Sequence, residues 1–148
     1  MQKTLERWFA EHGEEMAAIS RDLWEHPELS QQEFYSSDAL RTRLRQDGFT
    51  VSEGPLAGLD TAFEAKWGGG RPYIGFLAEY DALPGLAQET APVRSPIDQQ
   101  AGHGCGHNLL GTGALAAALA LKAAMETEGR PGTVFLYGCP SEEIMEGK

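Results

Sequence analysis

The chain has 148 residues, of which 41% are hydrophobic, and its 12 basic and 22 acidic residues give a formal charge of −10. This length predicts one ordinary domain with a hydrophobic core of its own. The acidic balance excludes a typical nucleic-acid-binding protein, which needs a basic face, and it suits a protein whose local field attracts cations.

Two helices are predicted first in chain order. Apolar residues between positions 5 and 23 recur at three- and four-residue steps, which predicts an amphipathic helix that ends just before Pro27. Ser30 followed by Glu33 fits a capping box, so a second helix is predicted to begin at Ser30. Gly48 suits the left-handed position that follows a helix, and it is expected to end this second helix.

Beyond Gly48 the apolar pattern changes to a period of two, which is typical of strands. Residues 49–51 predict a short strand, and residues 61–67 predict a half-buried one. The three glycines at 68–70 predict a hairpin turn. Residues 73–78 are almost continuously apolar, which predicts a central strand covered on both faces.

The remaining elements predict a strand–helix–strand unit. Residues 80–101 contain three prolines and no periodicity, so we expect a long loop of the kind that usually has a function. Residues 109–128 predict a third helix, ended by Gly129, with a face of small side chains that can approach a sheet closely. Residues 133–138 predict a buried strand. This order predicts a right-handed βαβ unit with a parallel strand pair, and hence an α/β fold.

The cysteine content and the apolar runs indicate in which cellular compartment the protein is expected. Two cysteines, Cys105 and Cys139, are too few for the disulfide scaffold of a secreted domain. Residues 1–7 are polar and lack the apolar core of a signal peptide. The apolar run at 109–124 is mostly alanine and falls short of the ~20 strongly apolar residues of a membrane span. We therefore expect a cytoplasmic protein with no membrane partner.

Three polar segments are expected to meet at one edge of the sheet. Residues 79–81 and 139–143 each follow a predicted strand, and ligands of open α/β sheets sit beyond the carboxyl ends of strands. The connecting helix begins at the same edge, directly after residues 103–107, whose sequence is His-Gly-Cys-Gly-His. Imidazole and thiolate bind metals such as zinc, and a helix N-terminus lowers the pKa of a cysteine. These features predict a metal site.

Each candidate residue has an ordinary structural alternative. Cys105 could be a buried small hydrophobe, but its histidine neighbours, including His103, favour metal binding. The pair Glu142 and Glu143 could be a solvated surface, but their place after a buried strand favours metal-assisted hydrolysis, in which one carboxylate binds metal and the other takes a proton from water. Asp81 could belong to a turn, or it could bind metal or orient a metal-binding histidine.

Four segments of the chain resemble a known family, the cocatalytic metallopeptidases and amidohydrolases that include aminoacylase, carboxypeptidase G and hippurate hydrolase. The matching segments are residues 22–33, 77–85, 102–113 and 137–143. The Cys-Gly-His-Asn and Pro-Ser-Glu-Glu motifs among them are together highly specific. These segments are most similar to the branch of the family that contains p-aminobenzoyl-glutamate hydrolase.

The resemblance implies roles for the matching positions. Cys105, His107 and Glu143 would be metal ligands, and Glu142 would be the general base that acts on water. The cofactor would be one or two divalent ions, zinc or manganese. The reaction would be hydrolysis of the amide bond in a small N-acyl amino acid, aminobenzoyl amino acid or dipeptide. The expected partners are this small-molecule substrate and either a second copy of the chain or a complementary chain.

The resemblance also implies a fold and a domain organisation. The expected fold is an α/β zinc-exopeptidase-like three-layer sandwich with a mixed, mainly parallel sheet. Family enzymes are considerably longer, and they carry a lid or dimerisation domain and further histidine ligands after the segment at 137–143. Residues 1–148 are therefore expected to form the N-terminal portion of a catalytic domain, without the lid. Asn108 stands where the hippurate hydrolase branch usually has an aspartate.

Two other functions fit parts of the sequence. One is a catalytically incomplete module that acts without catalysis or through a partner chain, since the later ligands of the family are missing. The other is a cysteine hydrolase with Cys105 as the nucleophile and His103 or His107 as the base. A nucleophile needs one nearby base and a third group that orients it, whereas the glutamates beside this cysteine favour a metal.

Overall fold

The structure is a computed structural model that describes residues 1–98 and 100–147. Its helices and strands follow the predicted order along the chain. They are α1 (Gln2–Glu25), α2 (Phe34–Gln46), β1 (Thr50–Val51), β2 (Phe63–Gly69), β3 (Tyr73–Glu79), α3 (His107–Glu128) and β4 (Gly132–Cys139), followed by a 3₁₀ turn over Glu142–Ile144.

The four strands form one mixed sheet in the order β1-β2-β4-β3. Strands β3 and β4 are parallel and are connected through α3, which confirms the parallel pair of the predicted strand–helix–strand unit. Strand β2 is antiparallel to both β1 and β4. The mixed α/β fold is confirmed, although β3 with β4 is the only parallel pair among the strands of the described residues, so this sheet is mainly antiparallel.

The predicted hairpin between β2 and β3 is wrong. Strand β4 lies between these two strands, and each of them pairs with β4 instead of with the other. Strand β3 is consequently at the edge of the described sheet, and Tyr73 and Leu77 on its open face are 59% and 56% exposed. An apolar run indicates a strand but not its neighbours, because strand order depends on pairing with residues far along the chain.

The predicted start of α2 at Ser30 is also wrong, since the helix begins at Phe34. The hydroxyl of Ser30 donates to Asp81 Oδ2 over 2.8 Å, so it is not available as a helix cap. The carboxylate of Glu28 takes that place, because it accepts hydrogen bonds from the backbone N–H of Tyr35 at 2.9 Å and of Ser36 at 2.8 Å. These N–H groups lie in the first turn of the helix, where they lack partners within the helix.

The predicted end of α2 is confirmed. Gly48 has a φ of 79°, in the left-handed region, and its N–H donates to the carbonyl of Arg45. The N–H of Phe49 reaches back to the carbonyl of Leu44 at 3.0 Å. These two hydrogen bonds form a Schellman motif, which turns the chain directly into β1.

The helices cover one face of the sheet. Helix α3 packs against β3 and β4, and α1 packs on α3. By length and composition α3 could cross a membrane, but more than half of its apolar stretch is buried within this core, as expected for a core helix. The buried core of the layer includes Leu23, Leu40, Phe63, Leu115 and Leu136.

Helix α3 approaches β3 most closely at Gly111, where an added Cβ would collide with the carbonyl oxygen of Glu79. We expect Gly111→Ala to lower the free energy of unfolding by about 1–3 kcal/mol, since the helix must move away from the strand. Gly113 is a matched control, because a Cβ there meets nothing within 4 Å. Gly113→Ala should be neutral or stabilising by up to about 1 kcal/mol. Urea unfolding followed by circular dichroism measures both, and equal effects would contradict the close approach.

Candidate metal centre

Three segments of the chain meet at the edge where β3 and β4 end. Strand β3 ends at Glu79, strand β4 ends at Cys139, and α3 begins at His107. The expected convergence is confirmed, since His107 lies within hydrogen-bonding distance of Glu79 and Asp81, and 3.5 Å from Glu142.

Two left-handed residues bend the backbone at this edge. Gly106 has a φ of 87° and directly precedes the first residue of α3. Glycine adopts this conformation without strain, so the chain turns sharply between Cys105 and His107. Ser141 has a φ of 61° and precedes the 3₁₀ turn that contains Glu142 and Glu143.

His107 is buried at the centre of the cluster. Its Nδ1 lies 2.9 Å from Asp81 Oδ1 and 3.0 Å from the Asp81 carbonyl oxygen. Its Nε2 lies 3.0 Å from Glu79 Oε2 and 3.5 Å from Glu142 Oε2. Since both Asp81 oxygens are acceptors, Nδ1 donates to them, and a cation would be bound through Nε2, which faces Glu79 and Glu142. His107 Nε2 and the carboxylates of Glu79 and Glu142 are close enough together to bind one cation.

The possible ligand atoms form two groups. Cys105, His107 and Glu143 each offer one ligand atom, and these atoms lie within 4.8 Å of one another. Glu79, His107 and Glu142 form a second such group. The structure therefore brings together the three residues that the sequence predicted as ligands. It adds Glu79, whose only signal in the sequence is its position directly after a predicted strand.

Asp81 contacts both His107, at the start of α3, and the turn after β4 that contains Glu143. In addition to its contact with His107, its Oδ2 accepts a hydrogen bond from the Ser30 hydroxyl at 2.8 Å and one from the Glu143 backbone N–H at 2.9 Å. These are the contacts of a carboxylate that orients a metal-binding histidine.

The donor set fits a divalent ion. Glu143 Oε1 is buried and has no hydrogen-bond partner among the residues that the structure describes. The Nδ1 of His107 is 3.8 Å from this oxygen, too far for a hydrogen bond, so a cation beside Glu143 would give the oxygen a partner. Carboxylate, imidazole and thiolate are all ligands of zinc, and carboxylate also suits manganese.

The pKa of Cys105 moves in the opposite direction from the prediction. Loss of hydration, together with the negative charges of Glu143, Glu142 and Glu79, raises the pKa of the Cys105 thiol. Loss of hydration and these nearby carboxylates both act against the lowering that was expected from the helix N-terminus. A cation among the same carboxylates would favour the thiolate form of Cys105.

His103 and Asn108 lie beside the cluster and contact α1. His103 Nε2 donates to the Leu23 carbonyl over 3.1 Å, and burial lowers the pKa of this imidazole. His103 belongs to neither group of possible ligands within the described part of the chain. The amide of Asn108 donates to the Ser20 carbonyl at 3.1 Å, a hydrogen bond that an aspartate carboxylate could not donate.

Comparison with known proteins identifies a family. Residues 75–148 match the sequence model of Peptidase family M20/M25/M40. The chain is 47% identical over 132 residues to one subunit of the p-aminobenzoyl-glutamate hydrolase of Escherichia coli (strain K12), a match that covers 88% of this chain and 27% of that protein. It is 36% identical over 149 residues to the Xaa-Arg dipeptidase of Mus musculus, covering 93% of this chain and 31% of that protein.

A solved structure supports the same family. The YXEP protein of Bacillus subtilis, described as a dinuclear metal-binding peptidase of the M20 family, matches with a TM-score of 0.67 and 30% sequence identity. That match covers 88% of this chain and 35% of the other. The chain thus spans between a quarter and about a third of the length of these relatives.

Proposed function

Because the chain belongs to peptidase family M20/M25/M40, we propose that it is a metal-dependent hydrolase module that cleaves the amide bond of a small N-acyl amino acid, aminobenzoyl amino acid or dipeptide. The observation that carries this proposal is the arrangement around His107. Thiol, imidazole and carboxylate atoms lie within 4.8 Å of one another, and the buried Oε1 of Glu143 lacks a donor among the described residues.

In this proposal Cys105, His107 and Glu143 hold a divalent ion, zinc or manganese. Glu79 and Glu142 form the second group with His107, with oxygens 3.0 and 3.5 Å from its Nε2, and their carboxylates would add to the negative charge that holds the ion. A bound ion supplies Lewis acidity, which polarises a carbonyl and makes water a stronger acid. Asp81 keeps the proton of His107 on Nδ1, so that Nε2 remains free to act as a ligand.

Glu142 is the proposed general base. Its side chain is 31% exposed, so water and substrate can reach it, whereas the side chain of Glu143 is 17% exposed. The Glu142 carboxylate accepts a proton as a water oxygen bonds to the amide carbon. The same carboxyl group then gives this proton to the amine nitrogen as the C–N bond breaks.

The substrate class is inferred from the relatives. One of them is named for p-aminobenzoyl-glutamate and another for Xaa-Arg dipeptides, and both names describe an amide bond to an amino acid. A small-molecule amide of this kind is therefore the proposed substrate, and the cytoplasm is the proposed compartment.

We also propose that residues 1–148 form the N-terminal portion of a catalytic domain. The relatives are much longer than the matched region, and one face of the described sheet is open, with Tyr73 and Leu77 exposed. The proposed partner is a complementary chain or a second copy, since the Escherichia coli relative is itself named as one subunit of an enzyme. A catalytically incomplete, partner-dependent module is the second candidate, and the name of the Escherichia coli relative, which describes one subunit of an enzyme, favours it.

The test combines ion content with hydrolysis. We expect the chain to bind zinc or manganese and to release p-aminobenzoate from p-aminobenzoyl-glutamate. A chelator should abolish the reaction, and added ion should restore it. Hydrolysis that persists in chelator but stops after thiol alkylation would contradict the proposal and favour a cysteine hydrolase. Ion binding without turnover by the isolated chain would favour the partner-dependent module.

A further inference from the structure

Glu33 is a completely buried acidic residue in the connection between α1 and α2, with 0% of its surface exposed. Its Oε2 accepts a hydrogen bond from the Thr61 hydroxyl at 3.0 Å. Its Oε1 accepts one from the backbone N–H of Ser141 at 2.8 Å. The Ser141 hydroxyl donates a longer hydrogen bond to Oε1 at 3.4 Å. Hydrogen bonds of this kind offset the cost of burying a carboxylate.

Ser141 connects this buried carboxylate to the metal centre. It follows β4 and Pro140, and it directly precedes Glu142 and Glu143. Its φ of 61° is unfavourable for a residue with a side chain, so contacts with its surroundings must hold it. The Ser141 N–H donates to Glu33, and its hydroxyl accepts a hydrogen bond from the backbone N–H of Gln31 at 3.0 Å.

The connection between α1 and α2 also contacts the segment that contains Asp81. Ser30, three residues before Glu33, donates to Asp81, and Asp81 contacts both His107 and the backbone N–H of Glu143. The carbonyl of Glu28 accepts a hydrogen bond from the Ala82 N–H at 2.7 Å, which holds the backbone next to Asp81. The α1–α2 connection therefore contacts the segment that contains Asp81, the neighbour of His107, and the turn that leads into Glu142 and Glu143.

We infer that Glu33 is a positioning residue of the metal centre, which fixes the left-handed turn at Ser141 and thereby directs Glu142 and Glu143 towards His107. This inference rests on the proposed function, because it assigns to Glu33 the geometry of an ion site. The required property is an acceptor for the Ser141 N–H, not a negative charge. Glutamine keeps this acceptor, because the Thr61 hydroxyl can rotate and accept from the amide nitrogen, whereas methionine removes it.

The experiment measures divalent-ion affinity in the whole chain. Zinc dissociation constants are obtained by competition with a chromophoric chelator, and the cobalt-loaded chain gives a visible spectrum that reports ligand geometry and thiolate ligation. The variants are Glu33→Met, Glu33→Gln and the matched control Thr61→Val, which removes the hydrogen bond to Glu33 Oε2 and leaves both contacts between Ser141 and Oε1 in place. Circular dichroism and urea unfolding report the fold of each variant.

We expect Glu33→Met to weaken zinc binding by about 10–100-fold, as is typical when an outer partner of a metal ligand is lost, and to change the cobalt spectrum. Glu33→Gln and Thr61→Val should keep the affinity and the spectrum of the parent chain. If Glu33→Met does not fold, Glu33→Asp carries the test, because it withdraws the carboxylate from Ser141 by one methylene and should weaken binding as well.

Two results would overturn the inference while leaving the proposed function intact. One is zinc affinity in folded Glu33→Met, or in Glu33→Asp if the methionine variant does not fold, equal to that of the parent chain. The other is an equal loss in Thr61→Val, which would mean that the fold alone is responsible. A parent chain that binds no zinc, manganese or cobalt would overturn the proposed function itself, and the inference with it.

Discussion

Replacing Glu142 by glutamine should slow amide hydrolysis by about 10²–10⁴-fold and leave divalent-ion affinity close to that of the parent chain. Glutamine has nearly the shape of glutamate, but its amide cannot accept a proton from water at neutral pH. The partly exposed carboxylate of Glu142 lies beside His107 Nε2, where it can contact both water and substrate. Initial rates of p-aminobenzoyl-glutamate hydrolysis, measured together with zinc affinity, test the two halves of this prediction.

The neighbouring glutamate provides the matched control. Glu143→Gln makes the same chemical change one position along the chain, but Glu143 holds the buried oxygen without a partner among the described residues and is grouped with Cys105 and His107. We expect this variant to lose ion affinity as well as activity. If Glu142→Gln loses as much affinity as Glu143→Gln, then Glu142 is a ligand and the assignment of the general base is wrong.

Replacing His107 by alanine should have the largest effect on ion binding. His107 is the residue shared by both groups of possible ligands, so its loss disrupts each of them. We expect zinc affinity to fall by more than the roughly 100-fold that loss of an outer partner can cause. Cys105→Ser should have a smaller effect, because it disrupts one group only. Equilibrium dialysis with zinc, and separately with manganese, measures both variants.

His12 offers a control for the loss of an imidazole. It lies on α1, and its Nδ1 is 3.3 Å from the Glu15 carboxylate in a partly exposed pair. His12→Ala should keep the ion affinity of the parent chain. Circular dichroism of His107→Ala separates loss of ligation from loss of fold, since His107 is buried. A folded His107→Ala chain that binds zinc as His12→Ala does would refute the proposed centre.

Local sequence patterns predicted the elements and their meeting point well. The end of α1, the left-handed Gly48 after α2 and the left-handed Gly129 after α3 are all where short-range rules placed them. The convergence of residues 79–81, 103–107 and 139–143 followed from one topological rule, that parallel strands end at the same edge. Helix ends depend on neighbouring residues, and the meeting edge depends on the direction of the strands. Both kinds of information can be read from the sequence.

The missed features all depend on contacts between distant residues. The order of β2, β4 and β3 is decided by pairing across the chain, and no local signal distinguishes it from a hairpin. Ser30 and Glu33 have the sequence of a helix cap, yet their side chains bond to Asp81 and Ser141. The pKa of Cys105 likewise depends on glutamates that are distant in sequence. Tertiary contacts overrode the local preference in each case.

The ligand atoms come from two segments that approach each other only when β3 and β4 are paired. A cation between Cys105, His107 and Glu143 would therefore act as a non-covalent cross-link between the start of α3 and the turn after β4. Such a link exists only in the folded chain, so the free energy of ion binding would add to the free energy of folding. The stability of this part of the protein would then follow the supply of metal in its surroundings.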